Sequence, residues 1–383
     1  MKRLFTLLPW WILSFSLARA DEFEKYRVHI ERLNYSPRVV AIGDLHGDLR
    51  AARKTLELAG AVDAKGNWVG QHLVVVQTGD LIDRGDHDLG LLNYFAKLEE
   101  EAKYHDSLLI LINGNHEFMN LQHQFDYASK RATTQFNPTY SNDLESLKYL
   151  WDVMFPMPYN PVLGRTAHLE AWDDLELGLP RAFGSLGHPN YTNLTPRTVA
   201  FSPGSVHFTH FAQRTFFAIV GDTVFVHGGI TLKALDYGLD RLQKEIQNWL
   251  FSDRDLSSWL LNHRQNEAPL FLNGEDSPIW SRVYGLLPPD PIPPHQVTIT
   301  HLDVCSDLQT VLERLSVKRM VIGHTIQPNH QITSACAERV WRIDVGMSHG
   351  FVAPSPQYQV LNIQGEEIEV LSRRGSKPTQ TEL

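Results

Sequence analysis

Six side chains suited to divalent cations recur in short, glycine-bounded motifs. Asp44 and His46 stand in Gly43-Asp44-Leu45-His46-Gly47, and Asp80 opens the acidic part of Gly79-Asp80-Leu81-Ile82-Asp83-Arg84-Gly85. Asn115 follows Gly114 and precedes His116-Glu117; His227 begins His227-Gly228-Gly229; His324 follows Gly323. Carboxylate, amide oxygen and imidazole suit manganese, iron or zinc, and no thiolate belongs to the set. Two such ions held about 3.5–4 Å apart acidify water and brace the oxygens of an in-line displacement at phosphorus. The chemistry implied is metal-assisted hydrolysis of a phosphate ester.

Residues so far apart meet only if the chain returns each motif to one place. Apolar, β-branched runs precede the motifs and supply that return. Arg38 to Ile42 is expected as a buried strand. Leu49, Ala52, Leu56 and Ala59 then recur at helical spacing before Gly60. Leu73 to Gln77 and Leu108 to Ile112 read as further strands around a helix over Leu89 to Lys103. Phe216 to Val220 and Thr223 to Val226 flank a Gly221-Asp222 turn, with later strands at Met320 to Ile322 and Val340 to Ile343. The pattern is that of a layered α/β domain, with every motif just past the carboxyl end of a strand, where loops of neighbouring strands converge. Gly43, Gly47, Gly79, Gly85 and Gly114 suit loops whose backbone must turn tightly beside a ligand.

The ordered motifs resemble those of the phosphoprotein phosphatase family within the calcineurin-like metallophosphoesterases. Gly323-His324-Thr325 and Ile343-Asp344-Val345-Gly346-Met347-Ser348 look like the Shewanella-like bacterial subgroup of that family. The resemblance spans roughly residues 38 to 362 and implies a β-sandwich flanked by helices. Carried over by motif, one metal would be held by Asp44, His46 and a bridging Asp80, the other by Asp80, Asn115, His227 and His324. Manganese is the leading expectation, with iron or zinc as alternatives. His116 would face the leaving group as proton donor, and Asp83 would orient it. Arg84 and Asn115 would bind the phosphate. Trp280-Ser281-Arg282 is the best match for a second phosphate-binding arginine, although Arg282 also reads as a surface charge. Asp344 reads either as a carboxylate behind a metal-bound histidine or as a strand-end turn residue. His188, His207 and His210 fall outside the pattern, and His349 reads as a loop or packing residue.

Composition bounds the rest. The 383 residues are 43% hydrophobic and 21% charged, enough for a full core and unlike a disordered chain. Lys2 and Arg3, the apolar run from Leu4 to Leu17 and Ala18-Arg19-Ala20 read as a secretory signal over residues 1–20, with an uncut anchor as the alternative. Those residues carry three basic side chains and no acid, so their removal takes the net charge from −9 to −12. No basic stretch marks a nucleic-acid surface. Cys305 and Cys336 are the only cysteines. They flank one helix-and-strand unit and could pair once in an oxidising compartment, or stay as two buried thiols.

Residues 21–370 are expected to form the phosphatase domain and 371–383 a polar tail. The 111 positions from His116 to His227 leave room for an insertion at about 120–210, rich in Pro, Asn, Tyr and Trp. Its Met154–Tyr159 stretch offers apolar surface for a cap over the site or for plain packing. The function expected is an exported, periplasmic or secreted metal-dependent phosphatase acting on phosphoproteins, with phosphotyrosine preferred as the subgroup implies. No nucleic acid and no stable membrane association are expected. Hydrolysis of dinucleoside polyphosphates is the alternative.

Overall fold

The computed structural model describes residues 27–28, 37–136, 196–202, 205–251, 268–351 and 357–374. The Met154–Tyr159 stretch, His188, the amino-terminal segment and residues 375–383 of the expected polar tail lie outside them, whereas residues 371–374, assigned to that tail from the sequence, belong to the last strand. The strands in chain order are β1 (Arg27–Val28), β2 (Arg38–Ile42), β3 (Leu73–Gln77), β4 (Leu108–Leu111), β5 (Phe217–Val220), β6 (Thr223–Val226), β7 (Arg319–Ile322), β8 (Thr333–Ala335), β9 (Val340–Arg342), β10 (Gln357–Gln364) and β11 (Glu367–Arg374). They form two sheets, one ordered β1-β5-β6-β7-β9-β8 and the other β11-β10-β2-β3-β4.

Within the second sheet β2, β3 and β4 run parallel, with Val40 opposite Val75 and Val76 opposite Ile110. Within the first, β6, β7 and β9 run parallel, with Phe225 opposite Val321 and Val321 opposite Trp341. Runs such as Leu73–Gln77 are buried along their whole length, as expected where a parallel sheet is covered on both faces. One continuous apolar core takes Val40, Val75, Ile219, Phe225, Val321 and Leu361, and so draws on both sheets. Full burial of each such side chain contributes about 1.5–3 kcal/mol.

Helices close the connections. Helix α1 (Leu49–Leu58) starts where the Asp48 carboxylate accepts from Ala51 N at 2.9 Å, and it buries Ala51, Ala52, Thr55 and Leu56 along one stripe. Gly60, at φ +69°, turns the chain away just beyond its end. Helix α2 (Asp88–Lys103) joins β3 to β4, and α3 (Asn115–Leu121) leaves β4 directly through the Gly114 motif. Then come α4 (Lys130–Thr134), α5 (Pro196–Ala200), α6 (Val206–Gln213), α7 (Leu232–Tyr237), α8 (Leu239–Phe251) and α9 (Ile299–Leu315). The seven strands expected from the sequence stand where its pattern puts them, with Ile112, Phe216 and Ile343 just outside the ladders, whereas β1, β8, β10 and β11 were not anticipated. The described ends of the 120–210 interval pack on the core: Phe136, Phe201, Phe208 and Phe211 are buried there.

The consequence for the site is geometric. Three parallel strands of each sheet end on the same side of the molecule. The loops after β2, β3 and β4 meet the loops after β6, β7 and β9: Gly323 N donates to His227 O at 2.8 Å, and His324 N donates to Asp44 Oδ2 at 3.1 Å.

Candidate active site

Asp44, His46, Asp80, Asn115, His227 and His324 converge at five of those six strand ends, and each is buried. Asp80 sits between two groups. Its Oδ2 lies 3.5 Å from His46 Nε2, and its Oδ1 lies 3.2 Å from His227 Nε2. Asp44 Oδ2 is 3.9 Å from His46 Nε2 on the first side, and Asn115 Oδ1 is 2.9 Å from His227 Nε2 on the second. His324 joins His227 and Asp80 with all three potential ligand atoms within 4.8 Å of one another.

The ring nitrogens show what this arrangement is built for. His46 Nδ1 faces Ile82 O at 3.3 Å, His227 Nδ1 faces Thr78 O at 2.9 Å, and His324 Nε2 faces Trp280 O at 3.1 Å. A carbonyl only accepts, so in each ring that nitrogen carries the proton and the other is the one left for a ligand; burial lowers the basicity of His227, but Asp80 outweighs it and raises its pKa, so without a metal that second nitrogen can hold a proton instead. Lone pairs facing lone pairs repel unless a cation lies between them. Backbone carbonyls that fix the outer nitrogen of a histidine are what a metal ligand requires. Burial pushes the imidazoles of His46 to about 3 and His324 to about 2, keeping both neutral, as ligation needs.

The acids tell the same story. Burial raises the Asp44 carboxyl well above the usual range, with Asp344 and Asp80 adding repulsion. Burial likewise lifts Asp344 to about 6 and raises Glu117. Burial also opposes ionisation of Asp80, but His227 and His116 outweigh it and hold this carboxyl well below its ordinary value. Several carboxylates packed in a dry site call for positive charge, and the nitrogen and oxygen donors fit divalent metal ions.

The backbone gives up comfort to make the cluster. His46, Asp80, Asp83, Arg84 and His324 all adopt left-handed φ, between +41° and +71°, a conformation costly for residues with a side chain and typical of functional loops. At Gly114 a Cβ would overlap Asp80 Oδ1, and at Gly323 it would overlap Asp44 Oδ1. Glu117 then clamps two loops together: its carboxylate accepts from Asp80 N at 2.9 Å, Gly114 N at 2.7 Å and Leu81 N at 2.8 Å.

Beside the cluster, His116 Nδ1 donates to Asp83 Oδ2 at 2.8 Å, which turns Nε2 inward, 3.8 Å from Asp80 Oδ2. Burial lowers the basicity of this ring, but Asp80 and Asp83 outweigh it, and its pKa is raised. Arg84 lies between the rings of Tyr127 and Phe351, at 4.6 and 5.0 Å, and its buried Nε has no protein partner. Arg282 is held at the rim, where Nη1 donates to His324 O at 2.8 Å. A cavity of about 380 Å³ is lined by His46, Asp80, Arg84, Asn115, His116 and Arg282, with Asp344 also on its wall. All ten residues singled out in the sequence are therefore in or against one site.

Other residues fall elsewhere. His349 Nδ1 pairs with Asp48, the cap of α1, at 2.6 Å. His207 is packed against Phe136 and Phe201, and burial lowers its pKa to about 4. One participant gave no signal in the sequence. Arg197, wholly buried, donates from Nη2 to Asp83 Oδ1 at 2.7 Å and from Nε to Asn120 Oδ1 at 2.9 Å. Its Nη1 pairs with Asp88 Oδ2 at 2.7 Å, two buried opposite charges in contact. Behind His116 there is thus a chain of His116, Asp83 and Arg197.

Residues 37–328 match the family model of the calcineurin-like phosphoesterases. The chain belongs to that family. Shewanella-like protein phosphatase 2 of Arabidopsis thaliana is 30% identical over 328 residues, covering 85% of this chain and 75% of that protein. Shewanella-like protein phosphatase 1 of Plasmodium berghei is 25% identical over 343 residues, covering 89% and 75%. A solved cold-active protein tyrosine phosphatase shares the fold with a TM-score of 0.56 at 19% identity, covering 89% of this chain and 79% of its own. This calcineurin-like phosphoesterase is accordingly a phosphatase, a hydrolase of phosphoric esters. Enzymes of the family use a pair of divalent metal ions, and the cluster around Asp80 supplies candidate ligands for them.

Proposed function

We propose that the chain is an exported phosphatase that hydrolyses phosphate monoesters on phosphoproteins, with two divalent ions, manganese foremost, held on either side of Asp80. Asp44, His46 and Asp80 would hold one ion; Asp80, Asn115, His227 and His324 the other. The observation that carries this reading is the set of three histidines whose outer nitrogens are fixed by Ile82, Thr78 and Trp280, with the inner nitrogens of His46 and His227 turned to Asp80 and with His324 grouped beside His227 and Asp80. Such ions acidify water at neutral pH and draw charge from the phosphoryl oxygens.

The chain's own residues do the rest. The Arg84 guanidinium, pinned between Tyr127 and Phe351 and with Nε free for an acceptor, binds phosphoryl oxygens as a planar fork. Arg282 adds a second positive charge from the rim, and Asn115 contributes its amide. His116, kept protonated beside Asp83, donates from Nε2 to the departing oxygen, so a poor alkoxide or phenoxide leaves as an alcohol. Asp83 holds the ring through Nδ1 and sustains its charge; Arg197 holds Asp83.

Two features support a phosphorylated protein side chain, tyrosine preferred, as substrate. Tyr127, Phe351 and Trp280 give the cavity aromatic walls, suited to a flat aryl group. A groove of about 790 Å³, which shares Trp280, Arg282 and Leu286 with the cavity, adjoins it and offers room for flanking peptide. Export is supported by the charged start and apolar run of residues 1–20 and by the Cys305–Cys336 disulfide, which suits an oxidising compartment. The test is a manganese-supplemented panel of phosphotyrosine, phosphoserine and phosphothreonine peptides against dinucleoside polyphosphates. Highest kcat/KM on phosphotyrosine peptides is expected; highest on the polyphosphates would overturn the assignment.

A further inference from the structure

Away from the active site, a second group of metal-ligating side chains meets where α9 touches the turn between β8 and β9. His301 and Cys305 stand one helical turn apart on α9, and so on one face of it. Cys336 opens the turn after β8, where Cys336, Ala337 and Glu338 are all left-handed at φ +57°, +56° and +62°. Cys305 and Cys336 are joined as a disulfide, with Cα atoms 5.4 Å apart, which decides between the pairing and the free thiols that the sequence left open. His301 lies beside it. Its ring is buried, its Nδ1 has no partner, and its Nε2 is 3.5 Å from Cys305 Sγ.

The spacing is the informative quantity. A tetrahedral zinc ion takes sulfur at about 2.3 Å and imidazole nitrogen at about 2.0–2.1 Å, which puts those two ligand atoms roughly 3.5 Å apart. That is the separation between His301 Nε2 and Cys305 Sγ. The ligand atoms of His301, Cys305 and Cys336 all lie within 4.8 Å of one another. Two sulfurs and one imidazole form a soft set, unlike the oxygen and nitrogen donors around Asp80.

We propose that, when its disulfide is reduced, the chain binds one zinc-class divalent cation between His301, Cys305 and Cys336. A dithiol reductant supplies two electrons and two protons and becomes a disulfide. Cys305 and Cys336 become thiols. The cation then displaces the two thiol protons to solvent and takes the lone pair of neutral His301 Nε2, and water completes the shell beside the half-exposed Cys305. Either form of the link ties α9 to the β8–β9 turn, at the amino ends of β7 and β9, where Met320 N donates to Arg339 O at 2.9 Å. The cross-link would persist in oxidising and in reducing surroundings, by different chemistry.

Cobalt(II) is the probe, used on the full chain with its active site intact. No thiolate lies in the active site, so a sulfur-to-cobalt charge-transfer band reports the second site alone. The band is expected in chain reduced with a phosphine, which does not compete for the metal, and is expected to be absent from oxidised chain. It should saturate at one cobalt per chain, be displaced by zinc and vanish in Cys336→Ser. His301→Ala should bind at least about tenfold more weakly, since even outer partners of a ligand are worth that much. Reduced chain that keeps its circular dichroism yet gives no band overturns the proposal, as does unchanged affinity in His301→Ala. Should reduction alone unfold the chain, refolding under reducing conditions with and without cobalt decides: folding that needs cobalt and brings the band supports the site, and folding without the band refutes it.

Discussion

Replacing Arg197 by methionine removes a charge while keeping most of the apolar stem. The guanidinium has Asp83 at 2.7 Å, Asp88 at 2.7 Å and Asn120 at 2.9 Å, and the rings of Phe125, Phe136 and Phe201 lie 5.2 to 5.6 Å from its centre. Its loss removes the cation paired with Asp88 and leaves Asp83 to His116 and Asn120. Breaking a buried pair from one side costs about 3–5 kcal/mol, and because both pairs share one guanidinium the two costs do not add. Against a total stability of about 5–15 kcal/mol, that is a large fraction. The pH dependence is a sharper signature. Burial already lifts Asp88 to about 6 with Arg197 present, and without Arg197 it rises further. A carboxyl raised on folding favours the folded state in acid, and that advantage is lost as pH rises through its folded pKa. The gap between variant and wild type should therefore widen above about pH 6. Urea unfolding at pH 5 and pH 8 measures it. A deficit at pH 8 of under about 1 kcal/mol, the value of a surface pair, or an equal deficit at both pH values, would refute the reasoning. Turnover should also fall, by about 10–100-fold, because Asp83 loses the group that holds it.

His116→Asn should keep its metal while kcat drops by about 10²–10⁴-fold, less for aryl phosphates with good leaving groups; metal loss in parallel would instead make His116 a ligand. Because the His116 pKa is raised, the donor is protonated below that value, so kcat/KM for poor leaving groups should decline on the alkaline side as pH passes through it, and an alkaline limb that survives in His116→Asn would assign it to another group. Arg84→Lys keeps the charge but loses the planar fork and its place between Tyr127 and Phe351; steady-state kinetics should show a clear loss of kcat/KM with the Tm unchanged, and wild-type kinetics would remove Arg84 from phosphate binding.

The cluster of candidate ligands was legible because each member is local to its own signal, a carboxylate, amide or imidazole beside a glycine just past a buried apolar run. Asp44, Asp80 and Asn115 follow β2, β3 and β4 in this way, and His227 and His324 follow β6 and β7. Parallel pairing then brings distant motifs to one face without further information. Arg197 was invisible for the opposite reason. It stands in no motif, and its partner Asp83 is 114 positions away, so only the packed structure shows that it stands behind Asp83 and His116. The clamp formed by Glu117 was likewise hidden, since a glutamate after Asn115-His116 is readable as a motif letter but its three backbone partners are not. For Cys305 and Cys336, sequence left a choice that depended on distance, and the 5.4 Å between their Cα atoms made it.

Metal content measured alongside turnover in Asp80→Asn is the most direct test of the two-metal site. Among the described residues Asp80 belongs to both histidine groups, 3.5 Å from His46 and 3.2 Å from His227, so an amide there should weaken both ion sites together. Wild-type chain is expected to hold two divalent ions and to hydrolyse phosphotyrosine peptides, while the variant stays folded, retains less metal and is inactive. A folded Asp80→Asn chain that keeps two ions and near-normal turnover would contradict the account.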